Sequence, residues 1–299
     1  MRDAAQRLEY TPNAFARGLK LQRTSTLGLI LANIGTAGTA QLVQSVERRA
    51  AHYGHVVLLA DPHDFVRAGD VYRRLILERR VDGLILSSAT ADGGMIRDLT
   101  AQRVPFVILN RRSAKGAVCV SADDAAGVAL AAEHLIGLGH RRACFITGPR
   151  GEDAFTRGLE GYRAAMLDHG LSSRGTVAHA AVTEEGGFDA TAGWLDSRRR
   201  PTALIAASVA QGVGAMAAVR AAGLASPADV SVVTVEDAPF AAYVDPPLTA
   251  VQMPLHELAE LAVDQVISLV GGGEVGDVIV PTRPELVVRG STAVPRETR

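Results

Sequence analysis

The feature that most constrains this chain is a repeated alternation between short, continuous apolar runs and longer amphipathic segments. From Thr26 onward, helix-like stretches separate the runs TLGLILANI, HVVLLAD, DGLILSS, PFVILN and AVCVSAD. Continuous apolar strands joined by helices are typical of a parallel sheet that is covered on both faces. The first part of the chain therefore predicts a doubly wound α/β lobe.

The same pattern begins again after residue 140, with the strand-like runs ACFITGP, VAHAAV, ALIAAS and VSVVTVED. The composition agrees with this interpretation, because 47% hydrophobic but only 4% aromatic residues favour an interior of Ala, Val, Leu and Ile. We therefore expect a second α/β lobe of similar design, each lobe being of ordinary domain size.

The last 50 residues contain too few elements for a third domain. After LTAVQM come an amphipathic helix from Leu255 to Val270, a Gly-rich loop, and the short runs VIVPTR and ELVVRGST. One helix and two strands cannot bury a core of their own, so we expect them to complete the two existing sheets. The chain then crosses between the lobes more than once, which makes a hinge and a clamp for a small molecule.

The N-terminal segment differs from the rest in charge. Residues 1–26 hold five basic and two acidic side chains, whereas the remainder holds 26 basic and 30 acidic ones. Such asymmetry indicates an arm that meets a polyanion, and the alternative is a solvated, frayed terminus.

Within this arm, a proline and the possible cap Asn13 begin a helix that is too short to be stable alone. Ala16 and Leu19 are three positions apart and share one face, with Arg17 and Lys20 on the flank. Small residues, an apolar wedge and cations are what a helix needs to enter the DNA minor groove.

Several other kinds of site are disfavoured. The loop 271–276 matches G-x-G-x-x-G but follows a helix and precedes a strand, so it predicts a surface turn rather than a dinucleotide site. Cys119 and Cys144 lie in apolar runs and are interpreted as buried. His140 follows a Gly stop, and a structural role is favoured over a catalytic one. Core packing is likewise favoured for Trp194 over stacking on a sugar. We expect no catalytic residue, no metal and no cofactor.

The location of the protein is also indicated. No apolar stretch is long enough to span a membrane, and Arg2, Asp3, Arg7 and Glu9 occupy the place of a secretory signal's apolar core. A soluble, cytoplasmic protein without a membrane partner is expected.

Several segments resemble landmarks of the LacI/GalR family of bacterial transcription regulators, in the right order. Residues 10–19 with 26–30 resemble the family's hinge-helix junction. The further segments are VDGLIL, AAEHLIGLGHRRACFITGP, EGYRAAM, RPTALIA, PPLTAV and PELVVRGST. The resemblance implies an α/β fold of two doubly wound parallel-sheet lobes with multiple crossovers, of the periplasmic-binding-protein-like type I, preceded by a short hinge helix.

The resemblance also implies a domain division. Residues 1–25 would be the end of a headpiece and the hinge helix, 26–122 plus 254–282 the N-terminal lobe, and 123–253 plus 283–299 the C-terminal lobe. It implies a homodimer whose paired hinge helices enter the minor groove of operator DNA. Leu19 would be the intercalating wedge, supported by Asn13, Ala16, Arg17 and Lys20.

The effector, a sugar or related metabolite, would bind between the lobes. Polar side chains at the corresponding positions are Thr39, Ser87, Asn110, Arg157, Ser208 and Glu236. Some depart from the family's pattern: Ser208 and Val209 replace an Asn-Asp pair, and Arg157 lies one residue before the usual arginine, with Gly158 in its place. These changes remove hydrogen-bonding groups, which argues against an ordinary hexose.

A ligand-responsive transcriptional regulator, most simply a repressor, is the leading hypothesis, and repressor versus activator stays open. An exported small-molecule binding protein is the main alternative, and an α/β enzyme is a third. RDAAQRLEY resembles only the last part of the family's headpiece, so we expect these 299 residues to bind a specific operator weakly.

Overall fold

The computed structural model describes residues 23–31, 34–61, 72–87, 93–196 and 200–296. Within these ranges the chain forms two six-stranded sheets, each with helices on both faces. The predicted hinge helix, with its DNA-contacting residues Asn13, Ala16, Arg17, Leu19 and Lys20, lies outside the described residues.

The N-terminal lobe contains an all-parallel sheet in the order β11-β5-β4-β3-β1-β2. Its strands are β1 (Thr26–Ile30), β2 (Val56–Ala60), β3 (Gly83–Ser87), β4 (Phe106–Leu109), β5 (Val118–Ser121) and β11 (Val278–Ile279). Its helices are α1 (Ala37–His52), α2 (Gly93–Ala101) and α7 (Leu255–Val270), and residues 72–77 are also helical.

The C-terminal lobe contains a second sheet in the order β12-β10-β9-β8-β6-β7, parallel except for β12. Its strands are β6 (Ala143–Thr147), β7 (Val177–His179), β8 (Ala203–Ala206), β9 (Ser231–Thr234), β10 (Thr249–Gln252) and β12 (Glu285–Val287). Its helices are α3 (Asp124–Gly137), α4 (Asp153–Asp168), α5 (Glu184–Leu195), α6 (Val209–Ala221) and a 3₁₀ turn, Pro239–Ala242.

Three connections run between the lobes. The chain leaves the first sheet after β5, returns after β10 through α7, and leaves again between β11 and β12. Helix α7 packs against α1 and against β3, β4 and β5, so it belongs to the N-terminal lobe. The prediction of two doubly wound lobes with multiple crossovers is confirmed, whereas the exact domain boundaries stay a prediction.

The apolar runs form strands because both of their faces are buried. In β3, Ile85 packs with α7 on one face of the sheet, while Leu84 and Leu86 pack with Leu99 on the other. A strand that meets core on both sides gains from an unbroken series of branched and aliphatic residues. The hydrophobic effect therefore selects the continuous pattern seen in the sequence.

Helix pairs in the C-terminal lobe approach closely through glycine. A Cβ atom at Gly214 in α6 would overlap the carbonyl oxygen of Glu184 in α5, and one at Gly161 in α4 would overlap that of Ala125 in α3. By contrast, Gly193 in α5 has no neighbour within 4 Å of the corresponding position.

Smaller predictions are also confirmed. The loop 271–276 joins α7 to β11 without opening a helix, and both cysteines are buried. Trp194 packs against the core of the C-terminal lobe. Among the helices that the structure describes, none combines the length and the apolar character that crossing a bilayer requires.

His140 is buried and structural. Its Nδ1 is 3.0 Å from the hydroxyl of Thr202, and its Nε2 is 2.9 Å from the carbonyl of Ala293 and 3.1 Å from the hydroxyl of Ser231. Burial lowers the pKa of His140, so the neutral ring is favoured in the folded chain. The ring thereby ties the C-terminal segment to the strands of the second sheet.

Candidate functional site

A cavity of about 200 Å³ lies between the two lobes. It is formed where strands end and helices begin, which is the usual position of ligand sites in parallel α/β sheets. Its apolar wall contains Leu42, Val128, Phe145, Phe155, Val182, Val235, Met253 and Leu255. Its polar side chains are Thr36, Thr39, Asn110, Asp124, Ser208 and Glu236.

Glu236 joins the two lobes inside this cavity. The residue follows β9 and is only 9% exposed. Its carboxylate accepts a hydrogen bond from the backbone N–H of Val209, at 3.0 Å, and another from the backbone N–H of Gly38. A Cβ atom at Gly38 would overlap the carboxylate, so glycine permits this approach.

The electrostatic setting of Glu236 has two opposing parts. Burial raises its pKa, and the backbone N–H groups of Val209 and Gly38 act in the opposite direction. These N–H groups belong to the first turns of α6 and α1, one helix from each lobe. The carboxylate therefore lies at two positive helix ends at once.

Asp124 lies on the cavity wall at the start of α3 and is paired with Arg157 of α4. The guanidinium of Arg157 also pairs with Asp153, and the residue is 3% exposed. Burial raises the pKa of Asp124 to about 6, although Arg157 acts against this shift. Arg157 itself is not among the residues that line the cavity, whereas its neighbour Gly158 is.

Asn110 follows β4 with a positive φ of 59°, an uncommon conformation that asparagine tolerates. Its backbone N–H donates to the carbonyl of Val120 at 2.7 Å. Its side-chain Oδ1 is buried and has no hydrogen-bond partner among the described residues. A ligand donor could satisfy this acceptor.

The hydroxyls of the site serve mainly as helix caps. Ser208 accepts from the backbone N–H of Gln211 at 3.2 Å and caps α6. Thr36 accepts from the backbone N–H of Thr39 at 3.3 Å and caps α1, and its hydroxyl donates to that of Thr39 at 2.8 Å. These bonds fix both helix ends at the cavity.

The structure brings together four of the six predicted effector residues: Thr39, Asn110, Ser208 and Glu236 all line the cavity. Ser87, at the end of β3, and Arg157 are not among the lining residues. Sequence reasoning did not select Asp124 or Phe155 as effector-binding residues. The available signal was their position in the first turns of helices that follow a strand.

Other polar contacts tie the lobes across the cleft. The Gln41 side chain in α1 donates to the carbonyl of Asp237 at 2.9 Å, and the backbone N–H of Arg112 donates to the Asp153 carboxylate at 2.9 Å. Asp237 is itself held by Arg289 through an ion pair of 2.7 Å. The two lobes therefore contact each other directly through side chains and backbone in the described conformation.

The base of the N-terminal arm is attached to the N-terminal lobe by Asp82. The Asp82 carboxylate accepts from the backbone N–H of Thr24 at 2.7 Å, from the Thr24 hydroxyl at 2.9 Å and from the backbone N–H of Ser25 at 2.8 Å. The Asp82 side chain is only 7% exposed. Arg23 adds a contact of 3.3 Å to the carbonyl of Val270.

Comparisons with known proteins agree on one family. A family profile described as a periplasmic binding protein-like domain matches residues 132–292. The HTH-type transcriptional regulator MalR of Streptomyces coelicolor is 34% identical over 93% of this chain and 84% of its own length. The ribose operon repressor of Escherichia coli is 32% identical over 96% of this chain and 88% of its own length.

A crystal structure gives the same result. A LacI family transcriptional regulator from Mycobacterium smegmatis superposes with a TM-score of 0.82 and 33% identity, covering 90% of this chain and 100% of that one.

Proposed function

This chain belongs to the LacI family of bacterial transcriptional regulators, and we propose that a small molecule bound between its two lobes controls its binding to DNA. The relatives are named as transcriptional regulators rather than as exported binding proteins or enzymes. The proposal places the protein in the cytoplasm, with operator DNA and a small effector as its partners.

One observation carries the proposal: the cavity wall is itself a contact between the lobes. Glu236 of the C-terminal lobe accepts from Gly38 of the N-terminal lobe within the space that a ligand would enter. A ligand there must change the free energy of lobe closure unless it binds open and closed forms equally. Ligand binding and lobe angle are therefore coupled, and by linkage the coupling acts in both directions.

The attachment of the arm supports the link between the lobe angle and DNA binding. Asp82 fixes Thr24 and Ser25 to the N-terminal lobe, so the arm follows any rotation of that lobe. We propose that the arm binds the DNA minor groove through Leu19, Asn13, Ala16, Arg17 and Lys20. In a homodimer, the lobe angle would set the separation of the two arms.

The homodimer is part of this proposal. Monomeric proteins rarely expose large aromatic side chains in groups, and Tyr243 is 88% exposed while Phe240 in the same turn is 44% exposed. In the N-terminal lobe, Val56 and Leu77 are 65% and 73% exposed. The neighbouring aromatic residues Phe240 and Tyr243 support the dimer, whereas singly exposed residues such as Val56 and Leu77 are normal on a monomer surface.

The proposal is tested with Leu19→Ala in the full-length gene product. Duplexes selected from a random pool are titrated, with and without effector, by fluorescence anisotropy. Loss of an apolar wedge that unstacks a base step should weaken DNA binding by about tenfold or more. Effector affinity should stay unchanged, because the cavity lies in the lobes.

The matched control is Leu167→Ala, which removes the same side chain from a 75% exposed position in α4. This variant should bind DNA like the parent protein. Absence of duplex binding by the parent at low salt, with and without effector, would refute the regulator mechanism. Equal DNA affinity of Leu19→Ala and Leu167→Ala would refute the role of Leu19.

A further inference from the structure

Four helices begin at the cavity, and each beginning already has a carboxylate. The cavity wall includes first-turn residues of α1, α3 and α4 and the cap of α6. Positive helix ends normally attract anions such as phosphate. Here the chain supplies its own anions.

These carboxylates are distributed over all four ends. Glu236 serves both α1 and α6. Asp123 caps α3 by accepting from the backbone N–H of Ala126 at 3.0 Å. Asp153 stands in the first turn of α4. At the cavity wall itself, an anionic ligand would meet the carboxylates of Asp124 and Glu236.

In the part of the wall that the structure describes, no positive side chain offsets this charge. Among the described residues that line the cavity there is no lysine, arginine or histidine. The guanidinium of Arg157, which is not among the lining residues, pairs with both Asp124 and Asp153. Two carboxylates of the described chain, those of Asp124 and Glu236, line the cavity, and of these only Asp124 is paired with a guanidinium. A buried excess of negative charge is costly unless a cation or hydrogen-bond donor compensates it.

The other residues of the cavity wall indicate the polarity and size of the uncharged part of the ligand. Eight large apolar side chains and three alanines line the space, and Asn110 Oδ1 is a buried acceptor without a partner in the described chain. A polyhydroxylated sugar would place several hydroxyls against Leu42, Val128 and Phe155 without partners, which is unfavourable. A cavity of 150 Å³ can hold benzene, so about 200 Å³ suits a molecule of about eight non-hydrogen atoms.

We infer that this cavity binds a small molecule with an apolar body and a protonated amine, which donates hydrogen bonds to Asp124, Glu236 or Asn110. The inference rests on the proposed function, because it names the chemical class of the effector. It predicts that anions and ordinary sugars bind weakly.

The test is isothermal titration calorimetry of the whole chain at pH 7.5 with four probes. Benzylamine, benzyl alcohol and benzoate have nearly the same size and differ in charge, and ribose represents the sugars. A charge-assisted hydrogen bond should make benzylamine bind at least about tenfold more tightly than benzyl alcohol. Benzoate and ribose should bind more weakly still.

Charge-removing variants test whether the carboxylates of Glu236 and Asp124 cause the preference for benzylamine. Glu236→Gln and Asp124→Asn keep the shape of each side chain and remove its charge, so each should reduce the preference for benzylamine over benzyl alcohol by about tenfold. Asp168→Asn, at the exposed end of α4, is the matched control and should leave it unchanged. If one variant does not fold, as judged by circular dichroism, the other decides.

The inference is overturned if benzoate or ribose binds as tightly as benzylamine, if none of the four probes binds, or if the folded charge-removing variants keep the preference. These outcomes are distinct from failure of the proposed function. If ribose binds tightly and alters DNA affinity, the regulator mechanism stands and the assignment of an amine as the effector is refuted. If benzylamine binds tightly but the protein has no DNA affinity, the amine-binding cavity stands and the regulator mechanism is refuted.

Discussion

Replacing Asp82 with alanine should free the base of the N-terminal arm from the N-terminal lobe. One carboxylate accepts three hydrogen bonds from residues 24 and 25, at distances of 2.7, 2.9 and 2.8 Å. Alanine can accept none of them. Because the contacts are local, the change should loosen this segment without unfolding the sheet.

The size of the effect follows from the exposure of the donors. A hydrogen bond to a charged group contributes about 1.5–3 kcal/mol. Thr24 is exposed, so water can replace most of the hydrogen-bond energy that Thr24 loses with Asp82. Ser25 is partly buried, so most of the hydrogen-bond energy that it loses is not replaced. The free energy of local opening should therefore fall by about 1.5–3 kcal/mol, the value of one such bond, which corresponds to about tenfold to a hundredfold faster amide exchange.

The assay is native-state hydrogen exchange of the Thr24 and Ser25 amides, followed by nuclear magnetic resonance. Asp229→Ala is the matched control, because Asp229 accepts from the backbone N–H of Ala225 at 2.9 Å in the C-terminal lobe. That variant should accelerate exchange at Ala225 and leave Thr24 and Ser25 unchanged. Unchanged exchange at both arm amides in Asp82→Ala would refute the attachment.

The same variant separates the attachment of the arm from the cavity. In the full-length gene product, Asp82→Ala should leave effector affinity unchanged and reduce the change in DNA affinity that the effector produces. This follows because a loosened arm no longer moves rigidly with its lobe. If exchange accelerates but the effector response persists in full, the arm does not receive its signal through Asp82.

Two further predictions concern stability. Burial lowers the pKa of His140 in the folded chain. Below about pH 6.5 the unfolded chain therefore binds a proton at His140 more readily than the folded chain does. The free energy of unfolding consequently falls as the pH decreases through this range. His140→Gln should flatten that part of the curve in urea unfolding between about pH 5.5 and 7, and an unchanged slope would contradict the assignment. Gly214→Ala should destabilise the chain by about 1–3 kcal/mol in urea unfolding, through overlap with Glu184. Gly193→Ala on the facing helix should instead stabilise it by about 0.5–1 kcal/mol, and equal effects of the two would contradict the packing argument.

The fold was predictable because its main signal is local. Each continuous apolar run, such as residues 83–87, is buried on both faces of a sheet, so its pattern reports its environment directly. The return of the tail to the two existing sheets followed from a different argument, that one helix and two strands cannot form a core. The placement of α7 in the first lobe was implied by the family resemblance and agrees with its contacts. The pairing of β12 antiparallel to β10 did not follow, because edge pairing depends on contacts distant in sequence.

The site was less predictable because it depends on how two lobes meet. The family resemblance identified residues such as Asn110 and Glu236, and their position after strands agrees with the usual place of ligand sites in parallel sheets. It gave no sign that Glu236 would accept from Gly38, which lies almost 200 residues earlier and in the other lobe. The second carboxylate on the cavity wall, that of Asp124, and the contact of Glu236 with Gly38 became apparent only in the structure.

Arg157 illustrates the limit most clearly. One residue along an α-helix turns a side chain by about 100°, so a shift of one position moves it to another face of the helix. Arg157 accordingly contacts Asp124 and Asp153 while Gly158 lines the cavity. A single-position shift thus removes a guanidinium from the wall, while its partner Asp124 still lines the cavity. On this argument, moving the arginine from position 157 to position 158 should give the cavity affinity for anionic or hydroxyl-rich ligands. Because the number of charges stays the same, such a change would show that the position of the arginine decides which ligand binds.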